Sequence, residues 1–600
     1  MTTPHKYNLG IIGNCNYLAY VNDQANIAWM CWPRFDSSFV FGNLLDATKG
    51  GDFYIQPHEL TKFKSKQYYL ENTNILVTEF TNDEDSFRVL DYAPRFLLYE
   101  RYFKPIVLMR KVEILKGKPQ VVVCCSPRYE YGEKTLNPIQ GSNHISYMGG
   151  PHEIRLTTNT PLNYILNKTP FYLTRNLYFS LNYGTPLEAP LGSTCDEFLQ
   201  KTKIYWRTWV KRSSIPSLYQ EEVIRSALAL KLHQYEDTGA IIAAGTTSLP
   251  EANGAGRNWD YRYCWPRDSY YTLKAFNLIS HFSELESYAH FVHNLVSSDI
   301  DHLQPVYAID GNAQLNEKIM ELNGYLNNTP VRIGNDARNQ TQFDVYGQIL
   351  LALLPLYNDR RLSVRDDKLP TTIIYQILKK IEKCFDQPDS GIWEFRNLLY
   401  RHTHTYLFHW AGCSAAERIA ENYGDKTLKK YAQKLRIKAV EYIERCYDPI
   451  RKCYKASIEG EHLDASTLLL ITMNYLKPYS QKSRDHLEAI YRELQSPNGL
   501  LYRYKHQDDF GSTDSSFLMC SFWYIEALAV MGKIQEANAM LKKVLTGMNG
   551  LKLLSEDVEG NQMSQWGNFP QTYSHVGLIN AVFKIEQGMN KQPFQTVVSS

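Results

Sequence analysis

Two carboxylates stand in short stretches that could do chemistry. Glu394 lies in Gly391-Ile392-Trp393-Glu394-Phe395-Arg396, and Glu556 in Leu554-Ser555-Glu556-Asp557, far apart along the chain. Two carboxyl groups facing each other across a pocket are the minimum equipment for hydrolysing a glycosidic bond. One protonates the leaving oxygen, while the other activates water or attacks the sugar itself. Glu394 follows Trp393, and poor solvation beside an indole is the setting in which a general acid keeps its proton. Glu556 stands among Ser555, Asp557 and Glu559, where polar groups and water are expected to keep it ionised, as suits a base. Taken singly, each is equally an ordinary loop glutamate.

A third stretch, Asn258-Trp259-Asp260-Tyr261-Arg262-Tyr263-Cys264-Trp265-Pro266-Arg267-Asp268, packs aromatics, arginines and aspartates together. Arg267 and Asp268 could grip sugar hydroxyls from both sides, one donating and the other accepting. Trp265 could stack beneath a pyranose ring. The alternative is a helix start with a local ion pair and core aromatics. His404, Gln340, Gln342 and the run 568–575 are further candidates for polar lining. No metal-ligand spacing stands out among the 16 histidines, so neither metal nor cofactor is expected. The phosphate-cradling G-x-x-x-x-G-K-[ST] loop and the G-x-S-x-G elbow are both missing from the sequence.

The elements that must position these residues change character along the chain. The first third reads as short strands rich in β-branched and aromatic residues, among them 87–92, 106–115, 120–125, 152–157 and 171–181. Turn clusters such as Lys116-Gly117-Lys118-Pro119 bound them. Regular short strands without helices predict an antiparallel β-sandwich over 1–195. Residues 196–216 are expected as a helical linker, 217–590 as a helical domain and 591–600 as a tail. Helical periodicity places helices at 217–235, 267–280, 283–298, 340–357, 370–385, 403–422, 425–447, 464–476, 482–496, 512–532, 534–548 and 571–588.

The connections carry the topology. Those before the even-numbered helices are long (236–266, 299–339, 386–402, 448–463, 497–511, 549–570), while those after them are mostly short, 358–369 excepted. Paired helices then bring every long loop to one end, where sites are usually built. Six such pairs closing on themselves make an (α/α)6 barrel, with Glu394 and Glu556 on its long-loop rim. An open solenoid is the alternative, though no repeated signature appears.

Bulk properties narrow the function class. Six hundred residues exceed one core, so two or more domains are expected. A formal net charge of +2 gives no sign of a nucleic-acid partner. No run approaches the roughly 18 apolar residues that span a bilayer. The start, Met1-Thr2-Thr3-Pro4-His5-Lys6, lacks the basic-then-apolar layout of a signal peptide. Eleven cysteines without a C-x-x-C pair fit reduced thiols, hence a cytoplasmic location. The 43 tyrosines among the abundant aromatics are mostly core, yet they also suit sugar faces.

Taken together, these stretches resemble glycoside hydrolase family 15, the glucoamylase family, in a bacterial and archaeal branch that also holds trehalases. Ser555-Glu556, Asn568-Phe569-Pro570-Gln571 and Trp29-Met30-Cys31-Trp32-Pro33-Arg34-Phe35-Asp36-Ser37 extend the likeness over essentially the whole chain. The resemblance implies a β-sandwich followed by an (α/α)6 barrel, and an inverting exo-hydrolase that frees β-glucose from a non-reducing end. It implies Glu394 as general acid and Glu556 as general base, with Arg267 and Asp268 holding the terminal glucose. Trp265 and Trp393 would wall the pocket, Tyr573 would stand near the catalytic water, and Arg396 and His404 complete the expected substrate-binding set. An inverting pair stands roughly 6.5–9.5 Å apart. Two places depart from the family's pattern. Thr403-His404-Thr405-Tyr406 stands where Thr-His-Ser-Lys is common, and Gly13-Asn14-Cys15-Asn16 where a Gly-Arg pair is common.

The expected activity is glucoamylase-like, on α-1,4-linked gluco-oligosaccharides. Trehalose and α-1,6-linked isomaltose or dextran are competing substrates, because the terminal glucose they present is the same. A glycoside phosphorylase would replace the base with phosphate, so the carboxylate at Glu556 argues against it. A non-catalytic sugar-binding protein would bind without turnover. The partner in every case is an oligosaccharide or disaccharide, and nothing in the sequence indicates the oligomeric state.

Overall fold

The computed structural model describes residues 4–300, 303–360, 371–512 and 515–589. The tail expected at 591–600, and most of the connection 358–369, lie outside the described residues.

Alternation of inward apolar and outward polar residues builds the N-terminal sheets. In Asp52–Pro57, for example, Phe53 and Ile55 are fully buried while their neighbours are part-exposed. An eight-stranded antiparallel sheet runs in the order Asn137–Gln140, His144–Met148, Ile154–Thr158, Leu177–Tyr183, Val107–Lys116, Ser86–Tyr92, Leu76–Thr81, Lys64–Tyr69. A three-stranded sheet joins Phe171–Tyr172, Gln120–Ser126 and Asp52–Pro57, and a four-stranded one joins Leu9–Gly13, Leu18–Asn22, Ile27–Cys31 and Phe39–Phe41. Phe53 meets Phe179 edge to face at 6.3 Å, so the small sheet packs on the large one. Arg110 pins them together from inside. It pairs with Asp91 at 2.6 Å and donates to the carbonyls of Phe53 and Ala25, so its buried charge is fully partnered. The expected strand 171–181 divides between two sheets, because the chain turns at 173–176.

The linker helix, expected within 196–216, runs over Leu191–Lys211. Its Trp209 stacks on His281 at 3.7 Å and donates to Glu284 Oε1 at 3.0 Å, and Glu284 also pairs with Lys231 at 3.0 Å. Arg95, from the sheet region, pairs with Glu236 at 2.5 Å. These contacts lock linker and sheets to the helical part.

Helices follow the expected positions closely beyond this point. Thr372–Cys384 shows why: Ile374, Ile377, Leu378 and Ile381 repeat at the spacing of one helical face and are buried. The turn before Lys426–Arg445 is set by Asp425, whose carboxylate accepts from the backbone of Thr427 and Leu428. Two expectations shift. The segment 464–476 is a 3-10 turn, Ala465–Leu468, followed by the single turn Leu469–Thr472. The helix expected from 512 begins at Leu518, since Ser516–Phe517 is drawn into a strand.

Among the described residues, Pro266–Leu278, Asp344–Asn358, Thr403–Tyr423, the Ala465–Leu468 turn, Leu518–Val530 and Thr572–Met589 each pack against the next, and the last returns to the first. Gln220–His233, Phe282–Ser298, Thr372–Cys384, Lys426–Arg445, Gln481–Leu494 and Ile534–Leu545 each pack against a member of this ring. Within the ring, Leu518–Val530 is apolar nearly all round and buried at every residue but the last, as an enclosed helix must be. At Gly347 a Cβ would come within 2.0 Å of the Phe408 carbonyl, so only glycine permits that helix–helix approach. Among the described residues no helix is long and apolar enough to cross a membrane.

Candidate active site

A pocket with about 880 Å³ of empty space opens on the end where the long connections gather. Its wall comes from the loops that precede five of the inner segments, and both Glu394 and Glu556 line it, as do Trp265, Arg267, Asp268, Trp393, Arg396 and Tyr573.

The Glu394 loop is held from below. Asp389 accepts from the backbone of Gly391 at 3.0 Å and of Phe343 at 2.9 Å, and Gln340 Nε2 donates to the Glu394 carbonyl at 3.0 Å. Glu394 itself has φ +61°, a left-handed conformation that costs a non-glycine residue about 1 kcal/mol or more. Its carboxyl Oε1 accepts from Trp265 Nε1 at 2.8 Å and from Arg267 at 3.2 Å. The indole N–H that reaches this carboxyl is that of Trp265, while the Trp393 N–H donates to Asp464 at 2.6 Å.

Glu556 precedes the strand Asp557–Glu559, the middle of a small sheet with Ser516–Phe517 and Ser564–Trp566. Tyr261 donates its hydroxyl to Glu556 Oε1 at 2.7 Å, and the Asn568 backbone donates to Oε2 at 3.3 Å. A Cβ at Gly567, which has φ +76°, would fall 2.6 Å from this side chain. The acidic-turn picture of a watery Glu556 is also corrected, since only 1% of the residue is exposed. Burial, then the negative charges of Asp557 and Glu251, pushes its carboxyl well above the usual range, against opposing contributions from Tyr261 and Arg503. Asp557, likewise buried and beside Glu251, is pushed above the usual carboxylate range. The Tyr261 and Trp265 rings pack edge to face at 5.5 Å. Each grips one carboxylate by its polar tip, so a single aromatic pair spans the two acids.

Arg267 is largely enclosed, its side chain 12% exposed, and branches to Asp268 at 3.3 Å, Gln342 at 3.0 Å and Glu394. Burial raises the Asp268 carboxyl to about 6, with Arg267 opposing. Tyr573 closes the floor, its ring 5.1 Å from that of Tyr271. Arg396 lies at the mouth, over Trp259 at 4.9 Å. His404 does not reach the wall. It lies beneath, 2% exposed, with Nδ1 3.2 Å from Asp344, which in turn stands behind Arg267. Burial alone would raise Asp344, but His404 and then Arg267 hold its carboxyl below the usual range. Residues not singled out from sequence also line the pocket: Glu251 paired with Arg503, Arg257 paired with Asp508, and Tyr261. Tyr261 was visible inside its motif, but only the fold shows which motif side chains face inward.

Comparison with known proteins agrees with this geometry. The profile of Glycosyl hydrolases family 15 matches residues 217–583, and that of the trehalase-like N-terminal domain matches 4–162. A trehalase of Thermoplasma volcanium is 31% identical over 97% of this chain and 94% of its own length. A trehalase of Mycolicibacterium smegmatis is 29% identical, covering 96% of this chain and 90% of the relative. A bacterial glucoamylase solved with acarbose shares the fold, with a TM-score of 0.67 at 13% identity over 98% of this chain and 95% of that one. The protein is therefore a glycoside hydrolase. Within that class it belongs to family 15.

Proposed function

We propose that this enzyme is a trehalase that hydrolyses α,α-trehalose with inversion. The observation that carries the reading is that relatives matching along nearly the whole chain, from Thermoplasma and Mycolicibacterium, are trehalases. It displaces the glucoamylase-like substrate that the motifs alone favoured. We read the stacked sheets as a β-sandwich and the ring of helices as an (α/α)6 barrel. All eleven cysteines are buried thiols, which supports a reducing, cytoplasmic setting.

In this reading Arg267 and Asp268 hold the hydroxyls of one glucose while Glu394 faces the glycosidic oxygen. Glu394 gives its proton to that oxygen as the C1–O bond breaks. Glu556 takes a proton from a water, whose oxygen bonds to C1 on the opposite face. The Arg267 guanidinium, already beside Glu394 at 3.2 Å, stabilises the carboxylate that proton donation leaves behind. The attacked glucose leaves as the β-anomer, and the other keeps its α-configuration. NMR of fresh trehalose digests is therefore expected to show α- and β-glucose in equal amounts before mutarotation. Only α-glucose would mean retention. Turnover of maltose without trehalose would restore the glucoamylase-like reading.

The buried acids around Glu556 give a pH prediction. A base works deprotonated, so kcat/KM falls as pH drops through the raised titration of Glu556, and Asp557 beside it keeps that limb high. Asp557→Asn removes a like charge but leaves Glu251, Tyr261 and Arg503 in place, and the acid limb is expected to move down by about one pH unit. A limb that stays put in the pH profile would remove Asp557 from this role.

A further inference from the structure

The acid of a glycosidase stands on the leaving-group side of the bond it breaks, so what flanks Glu394 toward the mouth meets the departing sugar. Just past Glu394, the backbone N–H groups of Arg396 and Asn397 both donate to Asp509 Oδ2, at 2.6 and 3.2 Å. The Asn397 side chain donates to Oδ1 at 2.9 Å. A carboxylate from a distant loop thus ties down the acid loop. Its neighbour Asp508 is anchored separately, accepting from Arg257, from the Tyr504 hydroxyl and from the Phe510 backbone.

Phe510 is held out into the pocket between these anchors. The guanidinium carbons of Arg257 and Arg396 lie 5.5 and 5.3 Å from its ring centre, and Trp259 meets it edge to face at 5.0 Å. Arg396 also donates to Glu317 at 3.1 Å, so it is braced from its far side. Rigid aromatic faces beside guanidinium donors are what a sugar ring and its hydroxyls require.

We propose that Phe510, Trp259 and Arg396 bind the leaving sugar, and that the doubly anchored segment 508–511 closes the mouth behind it, restricting the enzyme to disaccharides. A longer chain would have to displace Phe510 against both the Arg257–Asp508 pair and the Asp509 bonds to the acid loop. The proposal rests on the reading of Glu394 as the acid, and it deepens the disaccharide assignment.

Comparing trehalose with α-D-glucosyl fluoride tests it, because fluoride leaves without a sugar to bind. In Phe510→Ala, the ratio of kcat/KM for trehalose to that for glucosyl fluoride is expected to fall about 30-fold, mostly through KM. In Asp509→Ala the ratio should fall as well, and maltotriose cleavage should rise relative to trehalose. Fluoride turnover reports at the same time that each variant is folded. Equal losses on both substrates, or an unchanged ratio, would overturn the subsite. A wild-type enzyme that cleaves glucosyl fluoride but not trehalose would instead defeat the trehalase reading. The same ratio taken with maltose would then decide the subsite on its own.

Discussion

Replacing Glu394 by glutamine is expected to lower trehalose turnover about 10³-fold, within the range general acid catalysis supplies, with sugar binding retained. Glutamine keeps an oxygen that can accept from Trp265 and Arg267, which now converge on Oε1. The loop therefore keeps its shape and only the transferable proton is lost. The loss should nearly vanish with α-glucosyl fluoride, whose leaving group needs little protonation. Stopped assays on both substrates, with binding followed by calorimetry, check this. A variant that turns over trehalose at near the normal rate would remove Glu394 from the acid role.

The second large effect is at the base. Glu556→Ala is expected to cost about 10³-fold in kcat, because it removes the carboxylate read as taking the proton of the attacking water. The substitution opens space beside Tyr261 and the Asn568 backbone, which now hold the carboxylate. Azide can enter there and attack C1 without giving up a proton. The C–N bond forms as the C1–O bond breaks, and Glu394 still protonates the departing glucose. Rescue by azide should therefore yield β-glucosyl azide, identified by NMR. Rescue to the α-product would mean that Glu556 lies on the wrong face of the sugar. A near-normal rate without azide would show that it is not the base.

Much of the fold was legible because local patterns and global packing agree. The run Ile374, Ile377, Leu378, Ile381 announces a helix whatever surrounds it, since a 3.6-residue period has only one use. Strands with a single buried face announce themselves by alternation. Where the reading failed, a tertiary partner had overruled the local pattern. Ser516–Phe517 pairs with Val558 and Asp557 across the pocket base, so the helix starts late. The strand 171–181 splits because two different sheets each claim one end.

The site divides along the same line. Residue types and motif order on their own marked Glu394, Glu556, Arg267 and Asp268 as candidate chemistry, because two loop carboxylates and an Arg–Asp pair at a helix start have few other roles on one rim. Which groups surround them was decided only by the folded chain. The indole N–H on the Glu394 carboxyl is that of Trp265, His404 is buried beneath Asp344, and Glu556 shares a desolvated corner with Asp557 and Glu251. Each of these contacts joins loops widely separated in sequence, and side-chain direction at a left-handed turn or a strand end has no sequence period to reveal it. Desolvation depends in the same way on everything packed around a group. The chain's own order therefore determined which chemistry is possible, and the closing of the ring decided how the groups that perform it are tuned.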